Sequence, residues 1–360
     1  MDSKQILQRL VELSQSGQVA VSDEHRRALG HFQGCRTAAK GCRIVHCDQC
    51  QTTMVLYNPC NHRGCPKCYQ KNQLRWMEKA QGRILPTTHL HLVFSIPGRY
   101  VQQWLADRKG LTSRLFEAVD QVIKDWEQSL GLRTGRMLVF QSHGRGMSYK
   151  PHIHCLMADG GLDIAGQWKP LGELPLKKLT QSLSEYFVDD ELFEPVANDG
   201  WSVYVTRHGG SGEQIIGYLA HTMAGVVVSI DQGMSIDQEN QTISFEDGHG
   251  GGVLRTTLKQ TTFLERYLSH IPPERTVTVR YYGLYSNRHR EELEAIRRLL
   301  EESRPKNQEN DPPPYQDLCP CCQAPMHLIL VAYAGQSVNY AKYGFIQGPP
   351  EHREYRTNAS

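Results

Sequence analysis

Apolar residues recur at helical spacing across residues 4–14 (KQILQRLVELS) and predict an amphipathic N-terminal helix. The period falls to two at His89-Leu-His91-Leu-Val93, which reads as a strand ended by Pro97 and Gly98. Residues 100–130 return to a helical period and predict two helices broken near Gly110. RMLVFQS (136–142) and PHIHCLM (151–157) read as two strands joined by the turn GRGMSYK, and so as a hairpin. LKKLTQSLSEYFVDD predicts a helix and Trp201–Arg207 an alternating strand; Glu213–Met223 is a helix entered through Gly210-Ser-Gly. Residues 226–270 read as strands that complete a central sheet, followed by a helix (TTFLERYLSHI). RTVTVRYYGLYSNRHREELEAIRRLLEE is then a strand and a helix, RPKNQENDPPPYQD a Pro-rich linker, and the last 20 residues are polar and loose.

The chain has 360 residues, of which 39% are hydrophobic and 22% charged, the composition of an ordinary globular protein. Net charge is only +2, so a nucleic-acid surface must be a local patch. No apolar run approaches the length that crosses a membrane, and no apolar signal core opens the chain. A cytoplasmic protein is expected, because ten of the eleven cysteines fall in two clusters that contain two-residue gaps. Such gaps point to metal ligation in a reducing compartment, not to disulfides.

Cys47-x2-Cys50 and Cys65-x2-Cys68 are two knuckles flanking a short segment (TTMVLYNP), the spacing of a four-thiolate zinc ribbon. Cys35, His46, Cys60 and His62 are left as candidates for a second zinc site; a buried thiol or solvated imidazole is the bland alternative for each. Cys319 and Cys322, near His327, are half of a further C-terminal zinc site. Lys67, Lys71, Arg75, Lys79 and Arg83 recur every four residues, a basic helical stripe suited to a phosphate backbone or simply to solvent. Tyr281, Tyr282 and Tyr285 interleave with arginines including Arg280 and Arg288, a pattern that fits single-stranded DNA as well as core packing. The fold class expected is α+β: a central antiparallel sheet with flanking helices, an N-terminal zinc ribbon and a small C-terminal helical, zinc-knuckle tail. The domains expected are residues 1–86 (N-terminal helix, zinc module and basic helix), 87–270 (the catalytic candidate) and 271–360 (a DNA-contacting, Cys-rich tail).

Side chains of a strand alternate between faces, so His152 and His154 share one. Two imidazoles on a rigid face can hold a divalent ion and leave positions open to a substrate oxygen. The hairpin places Gln141 or Ser142 opposite His152, which makes Gln141 a candidate third ligand with His143 as competitor; a one-residue slip would change the face. His89 and His91 form a second, lower-ranked His-x-His pair. Tyr218, on the helix of residues 213–223, could attack a phosphodiester if a metal or base lay near it, although taken alone it reads first as a packed aromatic.

The order of these blocks carries more than any one of them. A Cys-rich N-terminus ending in CPKC precedes LP-x-x-H-x-H-x-V-F-S-I-P, then PHIHCLM, GYLAHT and HIPP…VRYYGLYSNRHR. From about residue 20 to about 325 this resembles rolling-circle insertion-sequence transposases of the HUH endonuclease class, which carry an N-terminal zinc-binding domain. The resemblance implies an HUH nuclease-like fold, His152 and His154 as ligands of magnesium or manganese, structural zinc, Tyr218 as nucleophile, and single-stranded DNA at mobile-element ends as substrate. Its chemistry would be nicking through a covalent 5′-phosphotyrosine and rejoining of strands, in a bacterium's nucleoid, with a homodimer as the candidate assembly. Two departures stand out. Some relatives carry a second tyrosine one turn after the first, where this chain has Thr222, so it looks like a single-tyrosine member; and the zinc block has Arg63-Gly64-Cys65-Pro66, with its histidine displaced to His62. A plasmid replication initiator or relaxase would share the chemistry, and a zinc-dependent DNA-binding protein without catalysis would need none of it.

Overall fold

The N-terminal apolar spacing forms helix α1 (Ser3–Gln15), which buries Leu7, Leu10 and Leu13. The polar stretch after it forms a second helix that hydrophobic spacing did not reveal, α2 (Asp23–Gln33). Ser22 caps it by accepting from the His25 N–H, Asp23 and Glu24 complement the dipole of its first turn, and Ala28, Leu29 and Phe32 are buried. The computed structural model describes residues 3–188, 193, 200–223, 233–249, 252–302, 318–343, 345 and 355–356, with the backbone alone at some of them, including 69–71, 206–211, 218 and 221–223.

Strands β1 (Gly41–His46) and β2 (Thr53–Tyr57) form an antiparallel hairpin, with Ile44 opposite Val55. Two strands from the far end of the sequence extend it: β12 (His327–Tyr333) on β1 and β13 (Tyr355–Arg356) on β2. Residues 1–68 and 306–360 thus make one unit, and residues 69–305 the other. The C-terminal segment is built into the N-terminal module instead of standing apart as a tail, and the divisions expected at 86/87 and 270/271 fall inside the second unit. The reason is nonlocal pairing, which no composition shift announces.

The second unit holds helix α3 (Tyr69–Gln81) and a central antiparallel sheet of β3 (Thr88–Ser95), β4 (Arg133–His143), β5 (Tyr149–Leu162), β7 (Ser202–Ser211) and β11 (Val279–Gly283), in the order β11-β4-β5-β3-β7. The short strand β6 (Trp168–Pro170) pairs with the end of β5. α4 (Val101–Ala106), α5 (Arg108–Leu130) and α6 (Leu176–Val188) contribute Trp104, Leu115, Phe116 and Leu183 to the core on one face, against Leu90, Leu92, Phe94, Leu138, Ile153 and Cys155. The opposite face, with Met137, Val139, Leu156 and Ala158, is covered by α7 (Gly212–Met223) through Ile215, Ile216 and Leu219, by Ala80 of α3, and by Leu293 and Ile296 of α9 (Arg290–Glu302). Both faces being covered explains why β3, β4 and β5 are buried along most of their length, polar residues included.

Three expectations change here. The helix break lies at Asp107, whose side chain accepts from the Gly110 N–H and caps α5; Gly110 sits inside the first turn. Strands β8 (Ser235–Asp237), β9 (Thr242–His249) and β10 (Gly252–Lys259), followed by α8 (Gln260–Ser269), form their own three-stranded sheet and do not complete the central one. The edge of the central sheet comes instead from β11, beyond residue 270, with Tyr281 opposite Met137. Beside it the buried Arg136 donates to Glu127 (2.7 Å) and pairs with Asp120.

Candidate catalytic and metal-binding sites

Eight cysteines of the first unit gather into two groups of four, Cys35/Cys60/Cys65/Cys68 and Cys47/Cys50/Cys319/Cys322, each with all its Sγ atoms within 4.8 Å of one another. Zinc with Zn–S bonds of about 2.3 Å makes a tetrahedron with S···S edges of about 3.8 Å. Observed separations are 3.4 Å for Cys35–Cys68, 3.7 Å for Cys60–Cys68, 3.5 Å for Cys47–Cys322 and 3.4 Å for Cys50–Cys319. These thiols fit structural zinc. Hydrogen bonds from the other three thiols of its group hold Cys35 well below the ordinary thiol range, and the Cys60 N–H adds to that. The two knuckles expected to share one ion are therefore separated: Cys65/Cys68 take Cys35 and Cys60, while Cys47/Cys50 take Cys319 and Cys322. His46 and His62 join neither group. His46 Nδ1 lies 3.0 Å from Thr53 Oγ1, and His62 Nδ1 accepts from the Gly64 N–H. His327 bonds Asp48 (2.6 Å), and Cys321 is exposed.

In the second unit, strand parity puts His89, His91, Gln141, His152 and His154 on the α7 face of the central sheet. Gln141 is register partner to His152, and Val93 to His154. His154 Nε2 lies 3.0 Å from His152 Nε2 and 3.0 Å from Gln141 Oε1. An octahedral ion with bonds of about 2.1 Å has cis edges of about 3.0 Å, the same spacing. Gln141 turns its oxygen into this cluster and leaves its buried amide nitrogen without a partner among the described residues. The inward oxygen can meet either a His154 Nε2–H or a cation. Burial, and next the neighbouring imidazoles of His152, His91 and His143, hold His154 well below 6.5, so at neutral pH its ring is uncharged and one of its nitrogens keeps a lone pair. The spacing of these two nitrogens and one oxygen therefore suits an octahedral divalent cation.

His89 and His91 are not a rival metal pair. His89 Nε2 bonds the buried Tyr285 hydroxyl at 2.7 Å while its Nδ1 faces the Thr87 carbonyl, and burial brings its pKa to about 4. His91 instead reaches His154, a contact the sequence reading missed although the shared parity of the two strands pointed to it. His143 pairs with Tyr149 beyond a register shift, and its ring lies edge-on to His270. Helix α7 carries Tyr218 and Thr222; the Tyr218 side chain lies outside the described residues.

The basic residues do not form one stripe. Lys67 precedes α3 and donates to the Cys35 carbonyl, Arg75 and Lys79 are exposed on α3, and the Lys71 side chain lies outside the described residues. Arg83 lies beyond the helix, its guanidinium 4.5 Å from the centre of the Tyr281 ring. Arg280 is 4.7 Å from the centre of the Phe116 ring and donates to Ser113, and Arg288 is exposed. Arg83, Arg280, Tyr281 and Tyr282 line a cavity of about 300 Å³ at the β11 edge, whereas Tyr285 belongs to the core.

Comparisons with known proteins agree with this arrangement of a cysteine module and a second, larger unit. A family model described as a transposase zinc-binding domain matches residues 6–96, and one described as a "putative transposase" matches residues 135–187 and 173–292. A putative transposase of Sinorhizobium fredii is 25% identical, with 96% of each chain covered. The transposase for insertion sequence element IS801 of Pseudomonas savastanoi pv. phaseolicola is also 25% identical, over 71% of this chain and 68% of its own. No solved structure matches. The chain is thus similar to DNA transposases over nearly its whole length, and no helix among the described residues is long and apolar enough to cross a membrane.

Proposed function

We propose that this chain is a rolling-circle transposase in which the second unit is an HUH-type, single-tyrosine nuclease acting on single-stranded DNA at the ends of a mobile element. The observation that carries the reading is the convergence of His152 Nε2, His154 Nε2 and Gln141 Oε1 on the sheet face that α7, the helix of Tyr218, covers. The Tyr218 hydroxyl loses its proton and its oxygen attacks the scissile phosphorus. A phosphotyrosine bond to the 5′ fragment end forms as the bond to the 3′ oxygen breaks, and that oxygen takes up a proton to become a 3′ hydroxyl. The reverse attack by a 3′ hydroxyl reseals DNA and regenerates the tyrosine. Magnesium or manganese held by His152, His154 and Gln141 would polarise the phosphate and stabilise the leaving oxygen. Arg75, Lys79 and Arg288 are exposed and would meet the phosphate backbone, with Arg83, Tyr281 and Tyr282 offering a stacking edge. One tyrosine per chain fits a homodimer in which each protomer performs one strand transfer, in a bacterial cytoplasm at the nucleoid.

The test is covalent capture. Single-stranded oligonucleotides spanning the element ends, labelled at the 3′ end, are incubated with the protein and manganese and run on a denaturing gel. A labelled band at protein mass that disappears in Tyr218→Phe is the expected result; an adduct that persists in that variant removes Tyr218 as nucleophile. No adduct, with DNA binding indifferent to His152 and His154, would favour a non-catalytic DNA-binding protein.

A further inference from the structure

We propose that His91 is a positioning residue that decides which nitrogen of His154 carries the proton, and so whether His154 can act as a ligand; this rests on the metal-dependent reading above. A neutral imidazole has one N–H and one lone pair, and the partner of one nitrogen determines what the other offers. For His152 the choice is made by the backbone. Its Nδ1 lies 2.7 Å from the Lys150 carbonyl, which can only accept, so Nδ1 keeps the proton and Nε2 presents a lone pair to the cluster.

His154 faces a different partner. Its Nδ1 lies 2.8 Å from His91 Nε2, with the two ring planes 21° apart and their centroids 5.0 Å apart, so the bond runs edge to edge. Unlike a carbonyl, an imidazole nitrogen can take either part. When His91 carries its proton on Nδ1, its Nε2 accepts from the His154 Nδ1–H, and His154 Nε2 is a lone pair facing His152 and Gln141. When His91 carries its proton on Nε2, it donates to His154 Nδ1, and the His154 proton sits on Nε2, directed at Gln141 Oε1 3.0 Å away. The first arrangement accepts a cation; the second gives Gln141 Oε1 a donor without one. This accounts for a buried histidine where a carboxylate would bring an unpaired charge into the sheet face and a carbonyl would hold only the first arrangement. The residue is legible once parity is considered: His91 and His154 are on adjacent strands, two register steps apart, on one face.

The wild-type full chain provides the direct test. With histidine labelled by nitrogen-15, long-range nitrogen–proton spectra are recorded without and with magnesium. The expected result is that magnesium moves the His154 proton to Nδ1, with a coupling across the hydrogen bond to His91 Nε2. A proton on His91 Nε2 in the magnesium-loaded chain overturns the proposal. Manganese affinity, read by titration calorimetry, is the second measurement. His91→Leu should bind about 10- to 100-fold more weakly, and His91→Gln, whose amide can accept or donate, should stay within a few fold of wild type. Leu and Gln variants of equal affinity also overturn it. If wild type binds manganese no more tightly than His154→Ala, the metal reading itself fails and takes this proposal with it.

Discussion

The second cysteine group makes the C-terminal segment depend on zinc, and Cys319→Ser/Cys322→Ser tests this. Along β12, Leu328, Ile329, Val331 and Tyr333 are all exposed, and only Ala332 is buried. The rest of the segment's apolar anchorage is the buried Phe345 and the partly buried Leu330, Val338, Tyr340 and Tyr343. A structural zinc contributes on the order of 10 kcal/mol, a large addition to what the β12–β1 ladder and this packing supply. The expected result is two zinc ions per wild-type chain and one in the double variant, by elemental analysis of protein of known concentration. Hydrogen exchange should then show β12 losing protection while β3, β4 and β5 keep theirs. A double variant that retains two zinc ions, or a β12 as protected as in wild type, would refute the reasoning.

Other outcomes follow from buried groups in the second unit. Burial brings His89 to about pKa 4 and His270 to about 3, so each stays neutral in the fold while the unfolded chain takes up a proton near 6.5. Stability from these groups is therefore complete above about 6.5 and falls as pH drops, by about 2 kcal/mol for each at pH 5. Hydrogen exchange of β3 and β5 between pH 7 and pH 5, corrected for the intrinsic rate, reads it; unchanged opening free energy would contradict the argument. Glu127→Ala leaves the buried Arg136 with Asp120 as its remaining carboxylate partner and should destabilise the second unit by about 3 kcal/mol in denaturant unfolding, whereas a loss under 1 kcal/mol would show that Asp120 suffices. Gln141→Ala removes the one oxygen ligand and should weaken manganese binding without changing the zinc content; equal affinity would place the ion elsewhere.

Patterns that depend on near neighbours were legible in the chain. The two-residue gaps of Cys47/Cys50, Cys65/Cys68 and Cys319/Cys322 announce metal knuckles, because the turn between two such thiols is local. The alternation of PHIHCLM puts His152 and His154 on one face whatever the rest of the protein does, and the short turn before it brings Gln141 or Ser142 opposite His152, a choice that the register shift between Gln141 and His143 makes in favour of Gln141. The order of the blocks was enough to display the resemblance to transposases. Which knuckle meets which was not legible: any pairing of the three satisfies tetrahedral zinc, and the choice is made by β12 pairing with β1 across more than 270 residues of sequence. The same holds for β11 closing the edge of the central sheet, for the separate sheet of β8 to β10, and for His91, whose role exists only because β3 lies beside β5 in one particular register. Local spacing sets which atoms a segment can offer, since it is governed by bond geometry and the pleat. What those atoms meet is decided by long-range strand pairing, where many registers bury similar apolar area and only the whole core discriminates among them.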